Sequence, residues 1–206
     1  MKTARFFIII LYSILYSKVV FADGLIIPNN NKYPASYLKN KSTEIRVTIN
    51  GIIAETVVTQ EFENEWDNSV DGVYSFPLPA NARTTRLLYS VGDSMVDAVL
   101  KVQQQSTNPG TGSCGTVAEI NKYMGSNALR IQLTNIPSHS TKIVELHYIN
   151  ILNQFNGKYT YEYPLNTSSF LKLPLDFLTI NIKVNSSQKI INYLLESHSG
   201  AQIVTS

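Results

Sequence analysis

The chain is poor in the residues that most catalytic and metal sites are built from. A single cysteine, Cys114, occurs in 206 residues, so no intrachain disulfide can form. Such a chain is unusual among secreted animal modules but ordinary in a bacterial envelope. Charge is also scarce: 16% of residues are charged and the net charge is +2. Lys and Arg are scattered, with no basic stripe interleaved with aromatics, which argues against a nucleic-acid face. The three histidines, His139, His147 and His198, lack the i, i+4 spacing of a zinc-binding helix. Ser138 and Ser140 flank His139, but catalytic triads are assembled from distant segments, and no G-x-S-x-G occurs.

Long hydrophobic runs are missing too, with one exception at the N-terminus. Lys2 and Arg5 precede an apolar stretch from Phe6 to Tyr16, and Val20-Phe21-Ala22 has the form of a signal-peptidase site. Lys18 breaks the apolar stretch well short of the roughly 20 residues a spanning helix needs. Residues 1–22 are therefore expected to be a signal peptide, with Asp23 as the mature N-terminus and a secreted, periplasmic or envelope location. No cysteine near the cleavage point offers a lipid attachment site.

What is abundant is alternation. Residues 23–43 are a polar lead-in, expected as a tether or a loosely packed first strand. From Thr43 the pattern strengthens: Ile45, Val47 and Ile49 face one way, Arg46, Thr48 and Asn50 the other. Asn50-Gly51 marks a turn, and a second strand is expected from Ile52 to Phe62. A loop from Asn64 to Gly72 leads into Tyr74-Ser75-Phe76-Pro77-Leu78-Pro79, where two prolines impose a stiff extended exit. Further strands are expected at Thr85–Val91, Ser94–Val102, Ala128–Leu133, Lys142–Ile151, Lys158–Tyr163, Phe177–Val184 and Lys189–Leu195. Val117 to Met124 has helical spacing. Many short strands and one short helix predict a mainly β fold, an antiparallel β-sandwich.

Several of these residues, in order, carry a resemblance. Phe62-x-Asn64, then Tyr74-x-Phe76-Pro77-Leu78-Pro79-x-x-Ala82, Gly92, Asn135-Ile136-Pro137, and a strand ending in Leu146-His147-Tyr148 together resemble the VIT domain. That module is shared by inter-alpha-trypsin inhibitor heavy chains and the vault poly(ADP-ribose) polymerase, and occurs in bacterial exported proteins. The resemblance covers about residues 30–164 and implies a VIT-like domain over 23–164. Residues 165–206 are then a β-rich connector or the start of a following domain. Phe62, Asn64, Tyr74, Phe76, Pro77, Leu78, Pro79, Ala82, Ile136, Pro137 and Tyr148 are its structural markers. Gln103–Thr116 stands where the family carries a Lys/Glu-rich helix. A von Willebrand factor A domain usually follows in the family, but its Asp-x-Ser-x-Ser signature is not found in this sequence.

The remaining motifs are isolated. Gly110-x-Gly112-x-x-Gly115 matches a dinucleotide-loop pattern but follows Asn108-Pro109 and lacks a βαβ setting, so it is read as a loop. Asp67-x-Ser69-x-Asp71-Gly72 echoes half of a calcium loop, yet the position of the bidentate glutamate holds Leu78. Asp67, Ser69 and Asp71 are kept as the metal candidate, against an acidic hairpin loop turning at Asp71-Gly72. Tyr159, Tyr161 and Tyr163 alternate as an aromatic ladder, expected to be core or cross-strand packing, with a glycan- or partner-binding face as the other reading. Asn40, Asn166 and Asn185 head glycosylation sequons.

The sequence thus predicts a non-catalytic exported interaction module without a cofactor, expected as the N-terminal part of an adhesion-type protein. Its partner would be another protein or an adjacent domain in cis. A glycan-binding sandwich and an envelope enzyme using Cys114 with His139 or His147 are the alternatives.

Overall fold

The computed structural model describes residues 24–29, 37–99, 123–125, 127–165, 175–187 and 189–194. It is a two-layered β-structure, as the alternation requires. One layer is a six-stranded sheet. At its centre β2 (Lys39–Asn50), β3 (Ile53–Asn64) and β8 (Ser140–Ile151) run antiparallel. β5 (Ala82–Val91) and β6 (Ser94–Asp97) extend it on the β8 side, and β11 (Phe177–Asn185) on the β2 side, giving the order β11-β2-β3-β8-β5-β6. The second layer is three-stranded: β1 (Leu25–Pro28), β4 (Val70–Pro77) and β7 (Ala128–Ile136), in the order β1-β4-β7. A small hairpin, β9 (Asn153–Phe155) with β10 (Lys158–Thr160), projects beyond β8.

The inner faces meet in one core. Ile45, Val47, Val58, Phe62, Val144, Leu146 and Tyr148 from the large sheet pack against Ile26, Tyr74, Phe76, Leu133 and Ile136 from the small one. Phe62 meets Tyr74 edge-on with ring centres 6.0 Å apart, and Phe76 lies 6.0 Å from Tyr148. These pairs cross between the layers, where aromatic area stabilises most. The β2–β3 and β5–β6 hairpins turn at Gly51 and Gly92, both at positive φ, as the sequence marks suggest.

Some expectations are corrected. The lead-in at residues 23–43, expected as a tether or a loosely packed first strand, does hold a first strand, but a tightly packed one: Leu25 and Ile26 are buried in β1, and β2 already begins at Lys39. β11 pairs with β2 in parallel, so the sandwich is not wholly antiparallel. Residues 189–194 form no strand, 98–99 are not part of β6, and the strand expected to Tyr163 ends at Thr160. The expected helix lies mostly outside the described residues; only Tyr123 and Met124 of it are described, in a helical turn.

Candidate functional site

Of the three register shifts among the described strands, those in β2 and β4 shape the interior, and the third lies in β5 between Thr84 and Arg86. In β2 the register slips at Lys41, so Asn40 and Thr43, three positions apart, both face inward. There they meet Gln60, fully buried on β3. Tyr74 donates its hydroxyl to Gln60 Oε1 at 2.8 Å, Gln60 Nε2 donates to Thr43 Oγ1 at 3.3 Å, and Asn40 Nδ2 donates to the same oxygen at 3.1 Å. A polar chain thus joins the two layers through the core, which is tolerable there because its members bond one another. Strict alternation already places Thr43 with Ile45 and Gln60 with Phe62 on the inner face; only Asn40 needs the bulge to join them. The Asn40 sequon is affected directly: its side chain is buried and bonded, which leaves no room for a glycan in the folded chain.

The second bulge explains the acidic stretch. Val70 pairs with Ile136 and Gly72 with Leu133, so Asp71 alone stands opposite Thr134 and Asn135. Asn135 adopts a left-handed φ of 49°, and its amide donates to Asp71 Oδ1 at 2.7 Å. Asp71-Gly72 is therefore part of β4 and not the expected turn; the turn residues lie between Asn64 and Val70. Gly72 is needed for closeness: a Cβ there would sit 2.8 Å from Ile26 Cγ2 and 3.0 Å from Ile27 O.

Asn64 ties these pieces together. Its Nδ2 lies within hydrogen-bond reach of the carbonyls of Asn68, Ile136 and Pro137, at 2.9–3.1 Å, and its Oδ1 accepts from the Trp66 amide. The loop after β3 and the β7–β8 turn are held by this one amide. At the rim, His139 Nε2 meets Asp67 Oδ1 at 3.0 Å, with Asp67 almost fully exposed. Of the metal candidates, Asp67 therefore faces His139 and Asp71 faces the Asn135 amide. Among the described residues no group of three or more His, Cys, Asp or Glu side chains is gathered closely enough to hold a metal ion.

The remaining markers are placed in the core or at its margin. Phe62, Tyr74, Phe76, Ala82, Ile136 and Tyr148 are buried. Pro77, Leu78 and Pro79 line an open cleft of about 400 Å³ with Met124, Tyr163 and Pro164. Asn127 Nδ2 donates to Pro79 O at 2.7 Å, and Tyr123 OH to Pro164 O at 3.1 Å, so the proline exit is pinned from the opposite side of the cleft. The tyrosine ladder divides. Tyr163 packs 6.2 Å from Phe76, Tyr161 hydrogen-bonds Thr56 at 2.9 Å, and Tyr159 stands half-exposed on β10 opposite Gln154, while Phe155 on the same hairpin is 77% exposed.

Charged groups on the outer face pair locally. The Arg86 guanidinium grips Asp97 across β5 and β6, a hydrogen-bonded pairing that raises the arginine pKa and lowers the carboxyl's. The hydrogen bond to Asp176 raises Lys39. Lys142 differs: it is a lysine on the core face of β8, donating to Ser90 O and lying over the Tyr89 ring. Burial pushes its pKa down. His147 lies on the outer face, 2.7 Å from Glu145. Cys114, the glycine-rich loop 110–115 and Asn166 lie outside the described residues.

The chain is a mainly β sandwich in which Phe62, Tyr74, Phe76 and Tyr148 are spent on packing and Asn64 on holding loops. The family model that matches is the vault protein inter-alpha-trypsin (VIT) domain, over residues 40–148, and the chain belongs to that family. Among solved structures, a candidate nutrient-binding protein of Legionella pneumophila is similar at 17% identity and a TM-score of 0.36. The match covers 66% of this chain and 46% of that one, so the chain spans less than half of that protein's length. No curated protein sequence matches.

Proposed function

We propose that this VIT domain is a non-catalytic, exported protein-interaction module, acting as the N-terminal part of an adhesion-type protein after cleavage behind Ala22. The observation that carries the reading is the burial of the family pattern. Phe62, Asn64, Tyr74, Phe76 and Tyr148 are inside and engaged with one another or with the backbone. Asn64 among them holds the loop after β3 and the β7–β8 turn, and a fixed scaffold presenting loops suits recognition. Among the described residues no helix is long and apolar enough to cross a membrane.

Export is tested by producing the full chain with a C-terminal tag in a secretion-competent host. An N-terminus at Asp23 outside the cytoplasm is expected; an intact Met1 chain retained inside would refute it. Interaction is tested by placing a photo-crosslinking residue at Phe155 in cells that make the protein. A discrete adduct is expected, and none from the same residue at buried Leu146. A glycan array that is positive, and silenced by Tyr159→Ala, would replace this reading with the glycan-binding one. An enzymatic activity lost in Cys114→Ser would replace it with the cysteine-enzyme one.

A further inference from the structure

The edge of the large sheet at β11 has a property that the family pattern, which ends before it, does not address. β11 keeps an unbroken parallel register with β2 over nine positions, from Phe177 opposite Ser42 to Asn185 opposite Asn50. It is the terminal strand of the sheet, so among the described residues no strand lies on its other side. Exposed edges of this kind invite pairing, and proteins commonly blunt them with proline, bulges or inward charges. β11 has no proline and no bulge, and its single charge, Lys183, lies on the outer face with Arg46 and Asn181. Its inner face, by contrast, is apolar throughout: Leu178, Ile180, Ile182 and Val184. The first two pack against the core, while Ile182 and Val184 remain 46% and 49% exposed although they continue the same face.

The strand is also complementary to itself. Turned end for end about Asn181, it sets Leu178 opposite Val184 and Ile180 opposite Ile182 on the inner face. On the outer face Thr179 falls opposite Lys183, which keeps the two lysines apart. Residues directly opposite in an antiparallel pair share a face, so on the inner face apolar meets apolar, while at the ends of the outer face Phe177 falls opposite Asn185. A two-fold dimer interface requires such a self-complementary surface. We propose that β11 pairs antiparallel with β11 of a second copy of this chain, with the two-fold axis at Asn181, joining two six-stranded sheets into one. One added strand pair is smaller than the roughly 800 Å² per partner of a standard interface, so the association is reversible and concentration-dependent.

Cross-linking on the full chain in a Cys114→Ser background tests both the pairing and its register. On the axis, Asn181→Cys faces its own copy at about 4.5–5.5 Å between Cα atoms, within disulfide reach. Two Thr179→Cys residues would instead lie about 14 Å apart, from roughly 3.4 Å per residue along the strand, and cannot bridge. Oxidation should therefore yield a covalent dimer from Asn181→Cys and not from Thr179→Cys. Sedimentation equilibrium of the unmodified chain should show a dimer growing with concentration, lost in Ile182→Lys while the melting temperature of the dilute protein is kept. A chain that stays monomeric up to hundreds of micromolar overturns the proposal. So does bridging at Thr179 equal to that at Asn181, and so does a dimer indifferent to Ile182→Lys.

Discussion

Asn64 has no charge and is fully buried, yet its amide spans a loop and a turn that the chain separates by some seventy positions. Its replacement should therefore be costly. Asn64→Ala leaves buried carbonyls without a donor and is expected to cost about 3 kcal/mol, since each orphaned buried group costs roughly 1–3 kcal/mol. At about 2–4 °C per kcal/mol for a chain of this size, the melting temperature should fall by roughly 6–12 °C. Asn64→Asp, of the same shape, should be no better, because a carboxylate oxygen would face carbonyl oxygens. Asp67→Ala, at an exposed pair, should change stability by less than about 1 kcal/mol. Urea denaturation of the three variants separates these outcomes, and equal effects would contradict the role given to Asn64.

Lys142 yields a prediction with a sign. Burial holds its folded pKa below the ordinary 10.5. Unfolding then takes up protons between the folded value and 10.5, so the lysine's penalty on stability is full below the folded pKa and fades as pH rises towards 10.5. Lys142→Met keeps the stem and removes the charge, leaving the carbonyl of half-exposed Ser90 to solvent. The variant should be the more stable at pH 7, with the gap to wild type closing as pH rises from the folded pKa towards 10.5. A gap that is constant with pH would show that the charge is not the cause. At this scale the sequence is least legible. Lys142 is in phase with Val144 and Leu146, and Gln60 with Val58 and Phe62, but alternation alone does not say that a polar residue on the apolar face will be buried and bonded there.

Among the elements, β4 is the one on which the small sheet depends, lying between β1 and β7. The alternation of Tyr74, Phe76 and Leu78 was readable directly, and so was the proline exit, because φ restriction at Pro77 and Pro79 is local. Phe76 is fully buried against Tyr148 and Tyr163, so Phe76→Ala should cost about 3–5 kcal/mol, measured by urea denaturation. An unchanged midpoint would contradict its place in the core. Gly72 was not readable as more than a turn residue. Its reason is the approach of β1, and β1 is only four residues long, too short for a periodic signal and set behind a polar neighbourhood. Gly72→Ala should push β1 away and cost about 1–3 kcal/mol, the usual range for overpacking. Hydrogen exchange is the direct check: protection should drop at Ile26 and Ile27 before it drops in β3. Uniform protection across the sheets would contradict the close contact.

For the whole molecule, the layered architecture was legible because one wet face and one dry face force a period of two on every long strand. Topology was not. No local signal distinguishes a parallel neighbour from an antiparallel one, so the strand expected at Phe177–Val184 carries no mark that it joins β2 in parallel. Whether β11 shares the stability of the rest is open to direct measurement. The chain has one tryptophan, Trp66, packed at the far loop. Ile180→Asp puts a carboxylate on the inner face of β11 and should cost about 1–3 kcal/mol as buried polar area without a partner. If the fold is cooperative, the Trp66 fluorescence transition moves with the circular-dichroism transition by the same amount. A Trp66 transition that stays put would make β11 a separate unit.

The pairing of β11 with β2 also sets a timetable. Asn185 and Asn50, bonded side chain to side chain at the end of the ladder, are 135 positions apart. At roughly 5–20 residues per second, a ribosome delivers the second about 7–27 s after the first, whereas hairpins such as β2–β3 close in about 1–10 μs. For that interval the nascent chain carries a finished β2 with its outer rim unclaimed, and any extended peptide nearby can compete for it. Crowded synthesis or slow translation between residues 50 and 177 lengthens the competition, so the yield of correctly folded protein depends on translation speed across a stretch that contributes nothing to that rim.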